Sequence, residues 1–138
     1  MERRAFIAAT MGLLAAPLGA EAQPAAKRAR VGMLGSNPIP PFLYEMFKEG
    51  LAQLGYIEGH QVQIVQLDGG GVPARLPAVA AELVRAKADV IFARGPVAVA
   101  AAVEASKTIP IVAIDLESDP IALGYAKTLA RPGGNVTG

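Results

Sequence analysis

The chain has no cysteine, no tryptophan and a single histidine, His60. Without cysteine there is no disulfide, no thiolate metal site and no cysteine nucleophile. One histidine cannot build a multi-histidine metal centre, so no metal is assigned. Aromatic residues make up 5% of the sequence, too few for a platform on which bases stack. Charge is scarce and balanced: 13 Lys and Arg stand against 12 Asp and Glu in 138 residues, a net charge of +1. That balance gives no field strong enough to attract nucleic acid or an anionic membrane, and neither is expected as a partner. What is abundant is apolar. At 52% hydrophobic, the chain has enough for one small domain with a real core and is too apolar for disorder.

The first segment reads as an address. Arg3 and Arg4 form a positive start, residues 5–20 are uncharged and mostly apolar, and Ala20-Glu21-Ala22 fits the small-x-small rule for signal cleavage. The run is short for a membrane span, and Pro17 and Gly19 interrupt it. Residues 1–22 are therefore expected to be a signal peptide and residues 23–29 an exposed lead-in. Arg3-Arg4-Ala5-Phe6-Ile7 is also similar to a twin-arginine signal, so export by the general secretory or the twin-arginine route stays open. The cleavage region offers no cysteine for a lipid, so no direct membrane anchor is expected. A soluble export without an anchor is kept near the cell by an outer membrane, which favours the periplasm.

Strands and helices then alternate from residue 30 to residue 138. RVGMLG at 30–35 is a short apolar run closed by Gly-Ser-Asn-Pro, the pattern of a buried strand and a turn. Prolines 38, 40 and 41 delay a helix until Phe42, after which Met46, Phe47, Leu51 and Leu54 recur at helical spacing up to Gly55. Gly50 inside that helix costs up to ~1 kcal/mol against alanine, and close packing is the reason expected for it. Val62, Ile64 and Leu67, with glutamines between, predict a second strand with one face more exposed, which suits a sheet edge. A helix is expected over 73–87, a strand over 89–93, an alanine-rich helix over 97–106 and a strand over 109–114. Pro120 is expected to open a helix to about Ala130, and Asn135-Val136-Thr137 to begin a fifth strand. Regular alternation implies a parallel sheet with right-handed crossovers, helices on both faces and a flavodoxin-like strand order of 2-1-3-4-5.

In such sheets ligands sit beyond the carboxyl ends of the strands. The residues placed there are Gly35, Ser36 and Asn37 after the first strand, Arg94, Gly95 and Pro96 after the third, and Asp115 and Asp119 after the fourth; the second strand ends in Asp68-Gly69-Gly70. Hydroxyl, amide, guanidinium and carboxylate groups together make a polar mouth on an apolar body, suited to a small polar or zwitterionic solute. Each residue also has a purely structural reading. Ser36 shapes a turn, Arg94 is a solvated charge, and Asp115 and Asp119 cap helices. Gly69–Gly71 lacks the Lys-Ser/Thr of a phosphate loop and the spacing of a dinucleotide fingerprint, so no cofactor is assigned. No Gly-x-Ser-x-Gly elbow surrounds Ser36, and no base partners Glu117 and Asp119.

Several stretches together carry a family resemblance: FKEGLAQLGYIEG at 47–59, RLP at 75–77 with AAELV at 80–84, ADVI at 88–91, TIPIV at 108–112, Asp119-Pro120 and LARPGGNVTG at 129–138. The chain resembles the substrate-binding proteins of ABC transporters, tryptophan/tyrosine-type group, with a type I periplasmic-binding fold. The resemblance implies a non-catalytic protein that clamps a solute between two lobes and delivers it to an ABC permease in the inner membrane. Aromatic amino acids are ligands known in the family. By the same resemblance the Gly35-Ser36 loop, the Gly95-Pro96 loop and Asp119-Pro120 would line the cleft. Family members often carry Ser or Thr where Arg94-Gly95-Pro96 stands here, and are less acidic at 115–118. They also have a complete second lobe, so residues 30–138 correspond to an incomplete first lobe. That implies weak or no solute binding by this chain alone and an uncovered apolar surface. Two other readings stand beside this one: a small exported α/β enzyme using the 115–119 loop, and a truncated remnant without solute function.

Overall fold

A computed structural model describes residues 27–138; the expected signal peptide and most of the lead-in lie outside the described residues. Five strands form one sheet: β1 (Ala29–Gly35), β2 (Val62–Asp68), β3 (Val90–Arg94), β4 (Ile111–Ile114) and β5 (Val136–Thr137). Their order is β2-β1-β3-β4-β5, and every neighbouring pair is parallel. This is the expected order. β2, with Gln63 and Gln66 turned to solvent, lies at an edge as its alternation predicts.

The register sorts side chains onto two faces. Gly32, Ile91, Ile111 and Val136 stand in one row across the sheet. Leu34, Ala93 and Ala113 form the next row on the same face. Helices α2 (Leu76–Arg85) and α3 (Pro96–Ala105) cover this face with Leu76, Ala80, Leu83, Ala98, Val99 and Ala102, all fully buried. Alanine on α3 allows the helix to lie close to the strands. At Gly32 the approach is closer still, because a Cβ there would stand 3.0 Å from Leu83 Cδ2.

The opposite face carries Val31, Met33, Phe92 and Val112 in alternate positions. Helix α1 (Pro41–Gln53) is the helix of this side, and it is held loosely: none of its residues is buried. Its anchor is Phe47, whose ring lies 5.1 Å from that of Phe92, centroid to centroid, at 46°. Phe42 and Met46 remain 65% and 63% exposed, and Ile114 at the end of β4 is also exposed. Apolar side chains are therefore exposed around α1 and at the β4 end.

Three expectations change. The segment 73–87 is not one helix but a 3-10 turn, Pro73–Arg75, followed by α2. Pro77 has no N–H, so a continuous α-helical ladder cannot run through it. The helix expected over 120–130 is absent. One turn forms, with Tyr125 N–H donating to Pro120 O at 2.8 Å, and Gly124 at φ +75° ends it. A left-handed glycine with a bond spanning five residues is a helix stop, and it arrives after a single turn. Close packing does not account for Gly50, since an added Cβ would meet no atom within 4 Å.

Candidate functional site

The loops leaving β1, β2, β3 and β4 share the carboxyl edge of the sheet, because parallel strands all point the same way. Backbone hydrogen bonds knit them. Gly69 N–H donates to Gly35 O at 3.1 Å, and Gly71 N–H to Ser36 O at 2.9 Å, joining the β2 loop to the β1 loop. Gly95 N–H donates to Ile114 O at 2.8 Å, joining the β3 loop to the end of β4. Gly95 has φ +86°, a conformation that side chains resist, and this lets β3 turn directly into α3.

Arg94 lies at the centre of this arrangement. It is the last residue of β3 and stands in register with Gly35 on one side and Ile114 on the other. Its Nη2 donates to Asn37 O at 2.9 Å, so the guanidinium bridges from β3 to the loop after β1. Gly35, Asn37, Gln66, Asp68 and Arg94 contribute to a small pocket of about 40 Å³. Ser36, Gly95 and Pro96 flank that pocket in sequence without lining it. Helices α1 and α3 both begin at this edge with proline in the first turn and no side-chain cap. Their initial N–H groups are thus free of side-chain partners.

Asp115 and Asp119 lie further along, in the loop after β4. Each spends an oxygen on its own backbone. Asp115 Oδ1 accepts from Glu117 N–H at 3.0 Å and Ser118 N–H at 3.1 Å. Asp119 Oδ1 accepts from Ile121 N–H at 2.9 Å and Ala122 N–H at 3.2 Å. The Ser118 side chain, then the Glu117 N–H, hold the Asp115 carboxyl below its ordinary range, against a smaller opposing effect of desolvation. Asp115 also lines a pocket of about 100 Å³ with Ser118, Pro120, Tyr125 and Thr137, from which Asp119 is absent.

The structure thus brings Gly35, Asn37 and Arg94 into one place and sets Asp115 in a second, neighbouring one. Asp68 and Ser118 lie in loops expected at this edge but were not singled out as solute-facing, and Tyr125 was not expected there. Asp68 was legible, since it ends β2 and must share the edge. Tyr125 was hidden by the expectation of a helix around it. Among the described residues, no group of three or more His, Asp or Glu is placed to hold a metal ion. No helix among them is long and apolar enough to cross a membrane.

Residues 42–138 match the profile of the ABC transporter substrate binding protein family. The chain belongs to that family. It is 33% identical over 112 residues to a tyrosine-binding protein of Clostridioides difficile, covering 81% of this chain and 32% of that protein. Among solved structures it is similar to an ABC domain from Streptococcus pneumoniae in complex with L-Trp, at a TM-score of 0.70 and 29% identity, covering 81% of this chain and 38% of that one. It is also similar to a conserved domain protein from Vibrio cholerae, at a TM-score of 0.71 and 31% identity, with the same coverage. The chain spans about a third of the curated relative's length (32%) and 38% of each of these solved chains. The sheet is thus part of a periplasmic-binding-protein fold, in a family of substrate-binding proteins.

Proposed function

We propose that this chain is the first lobe of a periplasmic, non-catalytic solute-binding component of an ABC transporter. The solute is small and polar, of the amino-acid class, and is passed to an ABC permease in the inner membrane. The observation that carries this reading is the family match over residues 42–138, joined to a relative named for binding tyrosine and a structural neighbour solved with L-Trp. The geometry is compatible with it. The carboxyl edge offers fixed polar groups and free helix N–H groups on one side only, as half of a cleft does. Closure onto that edge by a second lobe would be a hinge motion that reports occupancy to the permease. The Gly35–Asn37 loop, the Arg94–Pro96 loop, Asp115 and Asp119 are the solute-facing residues in this reading. A thermal-shift screen of the chain against amino acids and small carboxylates tests it. Stabilisation by one solute class supports the reading. No stabilisation by any solute, together with turnover of one, overturns it.

A further inference from the structure

We propose that the amino edge of the sheet is a surface that docks this chain on a membrane bearing anionic phospholipid headgroups. The inference is independent of the solute reading, whose residues lie at the opposite edge. A net charge of +1 over the whole chain conceals how unevenly that charge is placed. Lys27, Arg28 and Arg30 stand at the start of β1, Arg85 and Lys87 between α2 and β3, and Lys107 between α3 and β4. β1, β3 and β4 are parallel neighbours, so these cations gather along one edge. Arg30 Nη1 donates to Ala86 O at 2.7 Å, and Arg30 N–H donates to Asp89 Oδ2 at 2.7 Å, which joins the start of β1 to the end of α2. Asp89 also lies 3.7 Å from Lys27 Nζ, so the carboxylate in the middle of the cluster is already engaged. Glu82 and Glu104, nearby on α2 and α3, form no ion pair among the described residues. An excess of positive charge remains, and apart from half-buried Arg30 all of these cations are exposed.

Lys87 adds its charge against the preference of the backbone. It holds a left-handed position, φ 58°, that glycine fills with less strain. The same edge also exposes apolar side chains. Helix α1 returns the chain from the carboxyl edge to the amino edge, where Leu54 is 75% exposed and Tyr56 and Ile57 are each 49% exposed. Ala29 N–H donates to Gln61 O at 3.0 Å, which ties this turn to the start of β1 beside the cations. Glu58 in the turn is taken up by the Tyr44 hydroxyl and Lys48. Cations beside exposed tyrosine and aliphatic side chains suit a lipid interface: charge meets phosphate, and the apolar groups enter below it. Long exposed cations need no matched shape to do this, whereas a folded acidic partner requires a complementary, well-packed contact. The carboxyl edge, with Asp68, Asp115, Glu117 and Asp119, would face away from such a membrane and stay open.

Sedimentation of the chain with vesicles of phosphatidylglycerol, and with vesicles of phosphatidylcholine alone, tests the proposal at low and raised salt. The charge variant combines Arg28→Gln with Lys87→Gly, and the apolar variant is Leu54→Ser. Wild type is expected to bind phosphatidylglycerol more tightly than phosphatidylcholine and to lose that preference as salt is raised. The charge variant is expected to weaken binding to phosphatidylglycerol by about tenfold and to leave binding to phosphatidylcholine unchanged. Leu54→Ser is expected to weaken binding to phosphatidylglycerol as well. Residues 1–22 are common to every sample, so backbone hydrogen exchange over residues 85–89 is followed on the vesicles as a readout local to the edge. Exchange there is expected to slow on phosphatidylglycerol in wild type and not in the charge variant. Circular dichroism checks folding; if the charge variant is unfolded, the salt dependence and the exchange of wild type decide. Equal binding to the two vesicles, or exchange at 85–89 that phosphatidylglycerol does not alter, overturns the proposal and leaves the cations as partners of the helix ends. Binding of poly-L-glutamate without binding of phosphatidylglycerol overturns it in favour of an acidic protein partner.

Discussion

Asn135 Nδ2 donates to Ile109 O at 2.8 Å, and the same amide nitrogen donates to Ser106 O at 3.1 Å. One side chain thus ties the entry of β5 to the connection between α3 and β4. Ser106, itself buried, completes the connection by accepting from Thr108 and Ile109 N–H groups with its hydroxyl. Asn135→Ala leaves both carbonyls without that donor and is expected to destabilise the chain by about 1–3 kcal/mol. Asn135→Asp is expected to be at least as harmful, since an ionised carboxylate only accepts. Urea unfolding of both variants measures this, and a midpoint unchanged from wild type would show that the amide is dispensable.

The packed face depends on Leu83. It is fully buried, reaches Gly32 on β1 and belongs to the cluster with Ile91 and Ala80. Leu83→Ala is expected to cost about 2–5 kcal/mol, enough to threaten a domain of this size. The reciprocal change, Gly32→Ala, drives a methyl into the Leu83 side chain and is expected to destabilise by roughly 1–3 kcal/mol. If Gly32→Ala were neutral while Leu83→Ala was costly, α2 would be free to move away from the sheet.

Most of the fold was readable because the central parallel strands appear as short continuous apolar runs, as in Val90–Arg94 and Ile111–Ile114, although β3 is fully buried only on alternate residues. What was misread was local stop chemistry. Pro77 splits a segment whose apolar spacing looks unbroken, and Gly124 ends after one turn a helix that Pro120 begins. The loops of the candidate site follow from strand order, so their residues were legible. Contacts such as the one between Arg94 and Asn37 were not. They depend on the register that sets Gly35 beside Arg94, and no spacing along the chain encodes it.

Gly50 lies in the middle of α1 with open space where a side chain would be. Gly50→Ala is expected to stabilise the chain by about 0.5–1 kcal/mol, because the glycine loses more backbone freedom on folding. Thermal unfolding measures the gain. A loss of stability would mean that this surface of α1 is covered in solution.

Lys87 is the one residue other than glycine at positive φ among the described residues, at 58°. It follows the end of α2, where Ala88 N–H donates to Leu83 O at 3.2 Å, and its side chain is exposed. A left-handed side-chain residue there costs roughly 1 kcal/mol, which glycine avoids. Lys87→Gly is accordingly expected to raise stability by about 0.5 kcal/mol once the greater freedom of the unfolded glycine is offset. Equilibrium denaturation checks it, and a destabilised variant would mean that the Lys87 side chain makes a contact worth more than the strain.

The tyrosine of α1 gives the chain a pH dependence at the alkaline end. Tyr44 hydroxyl donates to Glu58 Oε1 at 2.7 Å, while Lys48 Nζ lies 4.9 Å from the Tyr44 ring centroid and 3.8 Å from Glu58 Oε2. Partial burial, then the hydrogen bond to Glu58, then the charge of Glu58 push the Tyr44 pKa up from 10.0 to about 12. Removing the phenol proton would break the bond to Glu58 and set two negative oxygens side by side. Because the folded value is the higher one, the unfolded chain loses this proton first. The stabilisation is therefore whole below the unfolded pKa of 10.0 and is lost as pH rises through the folded value of about 12. Phenolate absorbance is expected to show one of the three tyrosines titrating late in the folded chain, and Tyr44→Phe is expected to remove that late step. Stability measured across the same window in wild type and Tyr44→Phe isolates the effect of this one group. The wild-type chain is expected to show the steeper fall, and identical slopes would mean that Glu58 does not hold the proton.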